Sequence, residues 1–188
     1  MADIAGTART NDEAHLYMDL RRCECGSANF PRDNQLLESG GNLISRYAGA
    51  CAQCGREREF RFWLTELPQA PTRGPVFYGD GPSDLIDPGE WLFIADRYAA
   101  SVPPSPPADP AELRAAAHRL GVATEAMEQA LMFAVPDADQ LEPSSLTSAD
   151  SQHFLATEPG RFRPSRLAVV RDTYRQISNE YQQALAQG

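Results

Sequence analysis

The chain contains two short cysteine motifs, Cys23-Glu24-Cys25-Gly26 and Cys51-Ala52-Gln53-Cys54-Gly55, which hold all four of its cysteines. Each motif ends in a glycine, the residue that most easily takes the positive φ of a tight turn. Four sulfurs that converge from two such turns suit tetrahedral Zn²⁺, and an intracellular chain does not normally keep two disulfides. The motifs therefore predict one zinc ion, with the ligands Cys23, Cys25, Cys51 and Cys54.

The spacing of the first motif leaves alternatives open. A single residue separates Cys23 from Cys25, where two residues are more common, so His15 is a candidate to replace one sulfur. The pair Cys51/Cys54 also has the spacing of a redox pair, and all four thiols could be free. If all four cysteines bind the metal, no coordination position is open, and the zinc is structural rather than catalytic.

The sequence on either side of the second motif is typical of antiparallel strands. Phe60, Phe62 and Leu64 alternate with Glu59, Arg61 and Trp63. This period of two residues is typical of a strand. Ser39-Gly40-Gly41-Asn42 has the composition of a hairpin turn. Strand patterns occupy residues 35–38, 43–51 and 56–64. We predict a three-stranded antiparallel sheet with the metal at one end.

With its two cysteine motifs, the segment 21–66 resembles a zinc ribbon. All 17 basic residues are arginine, a usage typical of GC-rich genomes, and the chain is similar to small zinc-ribbon proteins of high-GC bacteria. The resemblance implies two uses for the ribbon: the zinc holds a small sheet together, and a strand face is presented to a protein or a nucleic acid.

The remainder of the chain has helical patterns. Apolar stripes predict helices over residues 10–20, 88–100, 109–135, 149–156 and 164–185, and Gly121 is a candidate break in the third. The predicted N-terminal caps of the first four are Thr10 or Asn11, Asp87, Asp109 and Ser148. The expected fold is α+β: a three-stranded antiparallel zinc-ribbon sheet packed with a C-terminal helical bundle. We divide it into an N-terminal helix and ribbon (1–66), a Pro/Gly-rich loop, short helix and connector (67–108) and a helical part (109–188), forming one cooperative unit.

The charge of the chain is unevenly distributed. There are 26 acidic residues against 17 arginines, a net charge of −9, and residues 75–160 hold 14 acids and three arginines, which gives −11. Such a field repels phosphates and attracts cations. We therefore expect a cationic protein as the partner and consider nucleic acid an unlikely one.

The Pro/Gly-rich loop that precedes the second predicted helix combines acids with aromatics. Such a loop offers contact area together with carboxylates that select cationic groups. We predict that it is the partner-binding surface, formed by Phe77, Tyr78, Asp80, Asp84, Asp87, Glu90 and Trp91.

The sequence favours a zinc-ribbon binding or adaptor protein, of the immunity or regulator kind, over an enzyme. One alternative is an enzyme whose site lies in the loop 77–91, with its carboxylates as acid, base or metal ligands. A second is nucleic-acid binding through the ribbon face, where arginines lie beside aromatic residues; these are Arg46, Arg56, Arg58, Arg61, Phe60, Phe62 and Trp63. Glu57 and Glu59 interleave with the arginines and weaken that alternative.

No apolar run in the sequence approaches the roughly 20 residues of a membrane helix, and the segment Met1 to Asn11 has no hydrophobic core of a secretory signal. We therefore expect a cytoplasmic protein without a membrane partner.

Overall fold

A computed structural model describes residues 3–64 and 81–187 of the chain. These residues form an α+β structure with one four-stranded sheet and five α-helices. They divide into two compact units, one made of residues 3–64 and 83–86 and the other of residues 81–82 and 87–187. The predicted α+β class is confirmed. That the chain unfolds in one cooperative transition stays a prediction.

The sheet of the first unit is larger than predicted. Its strands are β1 (Ile4–Ala8), β2 (Asp33–Ser39), β3 (Asn42–Ala50) and β4 (Glu57–Leu64). The spatial order is β1-β4-β3-β2, with β2, β3 and β4 antiparallel and β1 parallel to β4. The prediction of three antiparallel strands is therefore correct for β2 to β4 and wrong for the whole sheet, which is mixed.

Strand β1 has little of the local pattern by which strands are recognised. Its sequence, Ile-Ala-Gly-Thr-Ala, has one large apolar residue and no alternation, and its pairing with β4 shifts register between Ile4 and Thr7. Gly6 has a φ of 152°, and a Cβ added there would lie 2.8 Å from Leu85 Cδ2. The segment Ser83–Ile86 thus lies against β1, and contacts distant in sequence hold this strand in place.

Helix α1 (Asn11–Leu20) packs against one face of the sheet. Thr10 caps the helix, accepting a hydrogen bond from the backbone N–H of Glu13, as the sequence predicts. The Tyr17 ring makes edge-to-face contacts with Phe60 and Phe62 of β4, with centroid distances of 6.2 Å and 5.6 Å. Phe60 and Phe62 therefore lie in the core between the sheet and α1.

A hydrogen bond to a buried ion pair connects residues 83–86 with α1 in this unit. The Glu13 carboxylate is fully buried and accepts hydrogen bonds from the backbone N–H and the guanidinium of Arg9. It also accepts one from the Ser83 hydroxyl, at 2.6 Å. Because breaking a buried, hydrogen-bonded charge pair costs several kcal/mol, this contact fixes residues 83–86 against α1.

The second unit is helical. Its helices are α2 (Pro88–Ala100), α3 (Pro110–Leu131), α4 (Ala149–Thr157) and α5 (Pro164–Gln187), with short 3₁₀ turns at Pro143–Ser145 and Pro159–Phe162. Asp87, Asp109 and Ser148 cap α2, α3 and α4, as predicted. Helix α3 is continuous through Gly121, so the break that this glycine suggested does not occur. None of the described helices has both the length and the apolar character needed to cross a bilayer.

The core of the helical unit lies where α3 packs against α2 and α5. On α3, small residues alternate with leucines, and Tyr181 of α5 packs against them; the cluster is Leu113, Ala116, Ala117, Leu120 and Tyr181. Small side chains allow helices to approach closely, which explains why an alanine-rich stripe forms a well-buried interface.

Substitution of two glycines of this unit by alanine should change the stability of the protein in opposite directions. At Gly89 of α2 an added Cβ would lie 2.3 Å from Ser151 Oγ and 3.0 Å from Ser151 Cα, so G89A forces α2 and α4 apart. Overpacking of this kind costs about 1–3 kcal/mol. At Gly121 nothing lies within 4 Å of the added Cβ, so G121A should stabilise α3 by about 0.5–1 kcal/mol. Thermal unfolding measures both; a G89A variant as stable as wild type would contradict the packing.

Candidate metal centre

The two cysteine motifs form two similar turns. Gly26 and Gly55 have φ values of 85° and 73°, the left-handed conformation that their positions predict. The N–H of Gly26 donates to the carbonyl of Cys23 at 2.7 Å, and the N–H of Gly55 donates to that of Cys51 at 2.8 Å. The one-residue spacing of the first motif therefore still closes a tight turn.

The four sulfur atoms lie together. Cys23 Sγ is 3.6 Å from Cys54 Sγ, Cys25 Sγ is 3.6 Å from Cys51 Sγ, and all four sulfurs are within 4.8 Å of one another. A tetrahedral site with metal–sulfur bonds near 2.3 Å requires sulfur–sulfur distances of about 3.8 Å. The cluster has the size and donor set of a metal site, and no cysteine is in a disulfide.

Further contacts hold the two turns in register. The N–H of Ala52 donates to the carbonyl of Asn29 at 3.1 Å, which joins the second turn to the chain that follows the first. Glu24, the single residue inside the first motif, forms an ion pair with Arg56, which follows the second. Cys23 and Cys51 are buried, whereas Cys25 and Cys54 lie on the exposed side. The cysteine spacing predicts the four sulfurs, but it gives no indication of the ion pair between Glu24 and Arg56.

The thiols of the cluster differ in acidity. Hydrogen bonds from the backbone N–H groups of Cys54 and then Gln53 lower the pKa of Cys51 to about 6. For Cys25, the backbone of Ser27 acts to lower the pKa, but partial loss of solvent and the three neighbouring cysteine sulfurs together raise it to about 12. Four thiolates at this spacing repel one another, so a cation is needed before all four can be deprotonated.

His15 is not part of the cluster. Its ring makes an edge-to-face contact with Tyr47, with a centroid distance of 5.2 Å. Burial, and then the charge of Arg32, lower the pKa of His15. Among the described residues, the metal-ligating cluster consists of the four cysteines, and the substitution of His15 for a sulfur does not occur.

The arginines of the ribbon are engaged within the chain. Arg46 and Arg61 both form ion pairs with Glu59, and the hydrogen bonds from the two guanidinium groups lower the pKa of that carboxyl. Arg56 pairs with Glu24, as noted above. The Arg58 guanidinium donates to the carbonyl of Arg21 and lies over the Phe30 ring, 4.6 Å from its centroid. Each of these four arginines therefore has a partner in the same unit.

The predicted partner-binding residues do not share one structural environment. Phe77, Tyr78 and Asp80 lie outside the described residues. Asp84 is exposed, as that prediction requires. Asp87, Glu90 and Trp91 are buried, which is not the exposed surface that the sequence suggested.

Asp87 is the centre of a hydrogen-bond network inside the helical unit. It forms a capping box with Glu90: the Asp87 carboxylate accepts from the Glu90 N–H at 2.9 Å, and the Glu90 carboxylate accepts from the Asp87 N–H at 3.1 Å. The Asp87 carboxylate also accepts from the N–H groups of Thr147 and Ser148 and from the Ser151 hydroxyl. The pattern Asp-Pro-Gly-Glu is a capping-box signature, so the sequence did contain a signal for this role.

Comparisons with known proteins identify no relative. No family model matches the chain, and neither a curated protein nor a solved structure matches it. The residues and their geometry are therefore the basis for a function.

The roles of Asp84 and Asp87 can be separated by matched substitutions. Asp87→Ala removes the cap of α2 and leaves the N–H groups of Thr147 and Ser148 without their acceptor, so it should destabilise the protein by about 2 kcal/mol or more. Asp84→Ala, at an exposed position, should change stability by less than about 0.5 kcal/mol. Urea unfolding of the two variants checks this, and equal losses would contradict the assignment.

Proposed function

We propose that this chain is a zinc-stabilised binding protein that engages a cationic protein partner through its helical unit. The observation that carries the proposal is a set of exposed carboxylates between α3 and the end of α4. They are Asp137, Asp139, Glu142, Asp150 and Glu158. Residues 120–160 hold seven acids and no arginine, so no basic residue within this stretch offsets them.

The zinc is assigned from the chemistry of the donors. Four thiolates are soft ligands, which select zinc, copper(I) or iron–sulfur chemistry over magnesium and calcium. The tetrahedral size of the cluster and the two glycine-ended turns fit a structural Zn²⁺ ion. With four protein ligands there is no open position for water or substrate, so we assign the metal a structural role rather than catalysis.

The electrostatics support a protein partner over a nucleic acid. A nucleic acid binds where free Lys and Arg side chains can neutralise its phosphates and displace the cations condensed on them. On the ribbon, Arg46, Arg56 and Arg61 already face carboxylates of the same unit. Each surface ion pair contributes only about 0–1 kcal/mol to stability. Each also places a negative charge beside an arginine, so little positive field remains on the ribbon.

In this proposal the exposed acids of residues 137–158 form the partner-binding surface, in place of the loop 77–91 that the sequence suggested. The buried carboxylates of Asp87 and Glu90 already accept hydrogen bonds from protein groups, so they make little contribution to a surface field. The exposed carboxylates face water and act over a Debye length, about 8 Å at physiological ionic strength. A cationic partner would therefore be attracted to this part of the helical unit.

The enzyme alternative has less support among the described residues. Asp87 and Glu90, two of its proposed acids or bases, serve as a reciprocal helix cap, and Asp80 lies outside the described residues. Asp84 alone remains exposed from that group, and one exposed carboxylate does not form a catalytic set.

The metal assignment predicts about one equivalent of zinc in protein purified without chelator, measured by elemental analysis. Cys51→Ser should lose the metal and unfold the sheet, because Cys51 is a buried member of the cluster. The matched control is Ser45→Cys, which adds a thiol in β3 away from the turns and should keep one equivalent. Less than half an equivalent in wild-type protein, or iron or copper in place of zinc, would contradict the assignment.

The partner proposal predicts the effect of neutralising the acidic surface. The variant D137N/D139N/E142Q removes three exposed charges, and the control E112Q/D172N/E180Q removes three from other exposed sites of the same unit. Affinity purification of wild type and both variants from the source cells should show net-positive proteins retained by wild type and control and lost by the first variant.

Proteins retained equally by all three chains, retained proteins of net negative charge, or nucleic acid alone would each argue against the proposal. Zinc content and thermal unfolding of each variant establish that the fold is intact before the retained proteins are compared.

A further inference from the structure

We infer that β2 is a self-association edge, through which two copies of this chain join their sheets into one across a twofold axis. This inference rests on the sheet alone and is independent of the cationic partner. Strand β2 is at the end of the strand order, and all seven of its residues, from Asp33 to Ser39, are exposed. A free strand edge presents unpaired N–H and C=O groups that another strand can join.

The two edges of the sheet differ in how far they are protected from pairing with another strand. The opposite edge, β1, has a register shift and lies against the segment Ser83–Ile86, as the close approach of Leu85 to Gly6 shows. Both features are common ways to protect an edge. Strand β2 pairs with β3 in continuous register and contains neither proline nor a basic residue. Its hairpin instead exposes three leucines, Leu36, Leu37 and Leu43, and Leu36 is 60% exposed.

The hairpin turn determines which backbone groups of β2 point outward. Gly40 and Gly41 have φ values of 60° and 82°, as a two-residue type I′ turn requires, so Ser39 and Asn42 form a hydrogen-bonded pair. Hydrogen-bonded and non-hydrogen-bonded pairs then alternate along the antiparallel ladder. The N–H and C=O groups of Asn34, Leu36 and Glu38 therefore face away from β3.

These outward groups select one register for a second copy. A twofold axis at Leu36 pairs all seven residues of β2 with those of its copy, and it places outward-facing residues opposite one another. Leu36 then pairs with Leu36, and Asn34 pairs with Glu38 at both ends, with two N–H···O bonds at each of these three pairs. Other registers allowed by the alternation leave residues at the strand ends unpaired.

The side chains are complementary in the same register. Each Glu38 carboxylate lies opposite an Asn34 amide, which donates one hydrogen to Ser45 Oγ of its own chain and has a second for the carboxylate. Each Asp33 lies opposite a Ser39 hydroxyl. No two like charges are directly opposite, an arrangement that would be destabilising in a sheet. The two Leu36 side chains meet on one face at the axis, which removes the most exposed leucine of the hairpin from water.

The interface is short, which sets the expected strength. Seven residues of antiparallel strand span about 24 Å. An interface of this length is at the small end of those that form specific complexes, so the dimer should exchange with monomer at micromolar concentrations. Sedimentation should therefore show a concentration-dependent mass that rises from 20.6 kDa towards twice that value.

Sedimentation of zinc-loaded full-length protein tests the surface. Leu36→Lys places two ammonium groups face to face at the axis and should give a monomer at about 100 µM. Val169→Lys is the matched control, because Val169 is 66% exposed on α5 and outside the proposed interface, and it should still dimerise. A wild-type monomer at that concentration, or a dimer unaffected by Leu36→Lys, would overturn the inference.

Disulfide trapping tests the register without relying on a disruptive variant. Residue 36 of one copy lies about 5.5 Å from residue 36 of the other between Cα atoms, within the range of a disulfide. Leu36→Cys should cross-link to itself under mild oxidation, with wild type as the control for the native cysteines. Asn34→Cys and Glu38→Cys should not cross-link alone but should do so when mixed. Self-cross-linking of Asn34→Cys, or no cross-link in the mixture, would exclude this twofold register.

Discussion

The convergence of four cysteine sulfurs is the constraint on which the sheet of the first unit depends. One turn follows α1 and the other joins β3 to β4, and 25 residues separate Cys25 from Cys51. A small unit buries little apolar area with which to hold such distant segments together, and a metal ion bound by both turns would close the loop between them. The neighbouring hydrogen bond from Ala52 to Asn29 and the ion pair of Glu24 with Arg56 then fix the turns against one another.

Acidic residues occupy two different environments in the helical unit. Asp87 is buried, and its carboxylate accepts hydrogen bonds at the N-terminus of α2 and from the start of α4. Asp137 and Asp139 are exposed, with no such role in the described contacts. The acidic residues of this unit therefore fall into two structural classes, buried helix caps and exposed carboxylates, which sequence composition does not distinguish.

Local signals predicted much of this fold. Capping residues placed the starts of α2, α3 and α4, and the alternation around Phe62 together with the Gly40-Gly41 turn placed β2 to β4. Strand β1 was missed because its place depends on pairing with β4 and contact with Leu85, neither of which leaves a local pattern. The metal ligands were predictable because the spacing of cysteines and glycines is itself local.

The surface was harder to predict than the core. Asp87 was predicted both as a helix cap and as a partner-binding residue, and the burial of its carboxylate in the cap leaves little of it for a partner to contact. Exposure depends on how helices pack, which periodicity gives only in part, so the exposed acids of residues 137–158 could not be separated from the buried ones. The pairing of Arg46 with Glu59 likewise depends on the register between β3 and β4.

Hydrogen exchange of the backbone amides, measured with and without a strong zinc chelator, tests the central claim most directly. If the metal holds the two turns together, chelation should remove protection from the amides of β3 and β4 around Cys51 and from α1 near Cys23, because these segments meet at the cluster. Unchanged protection of those amides after the metal has been removed would show that the sheet is held by its aromatic core alone, and would contradict the account.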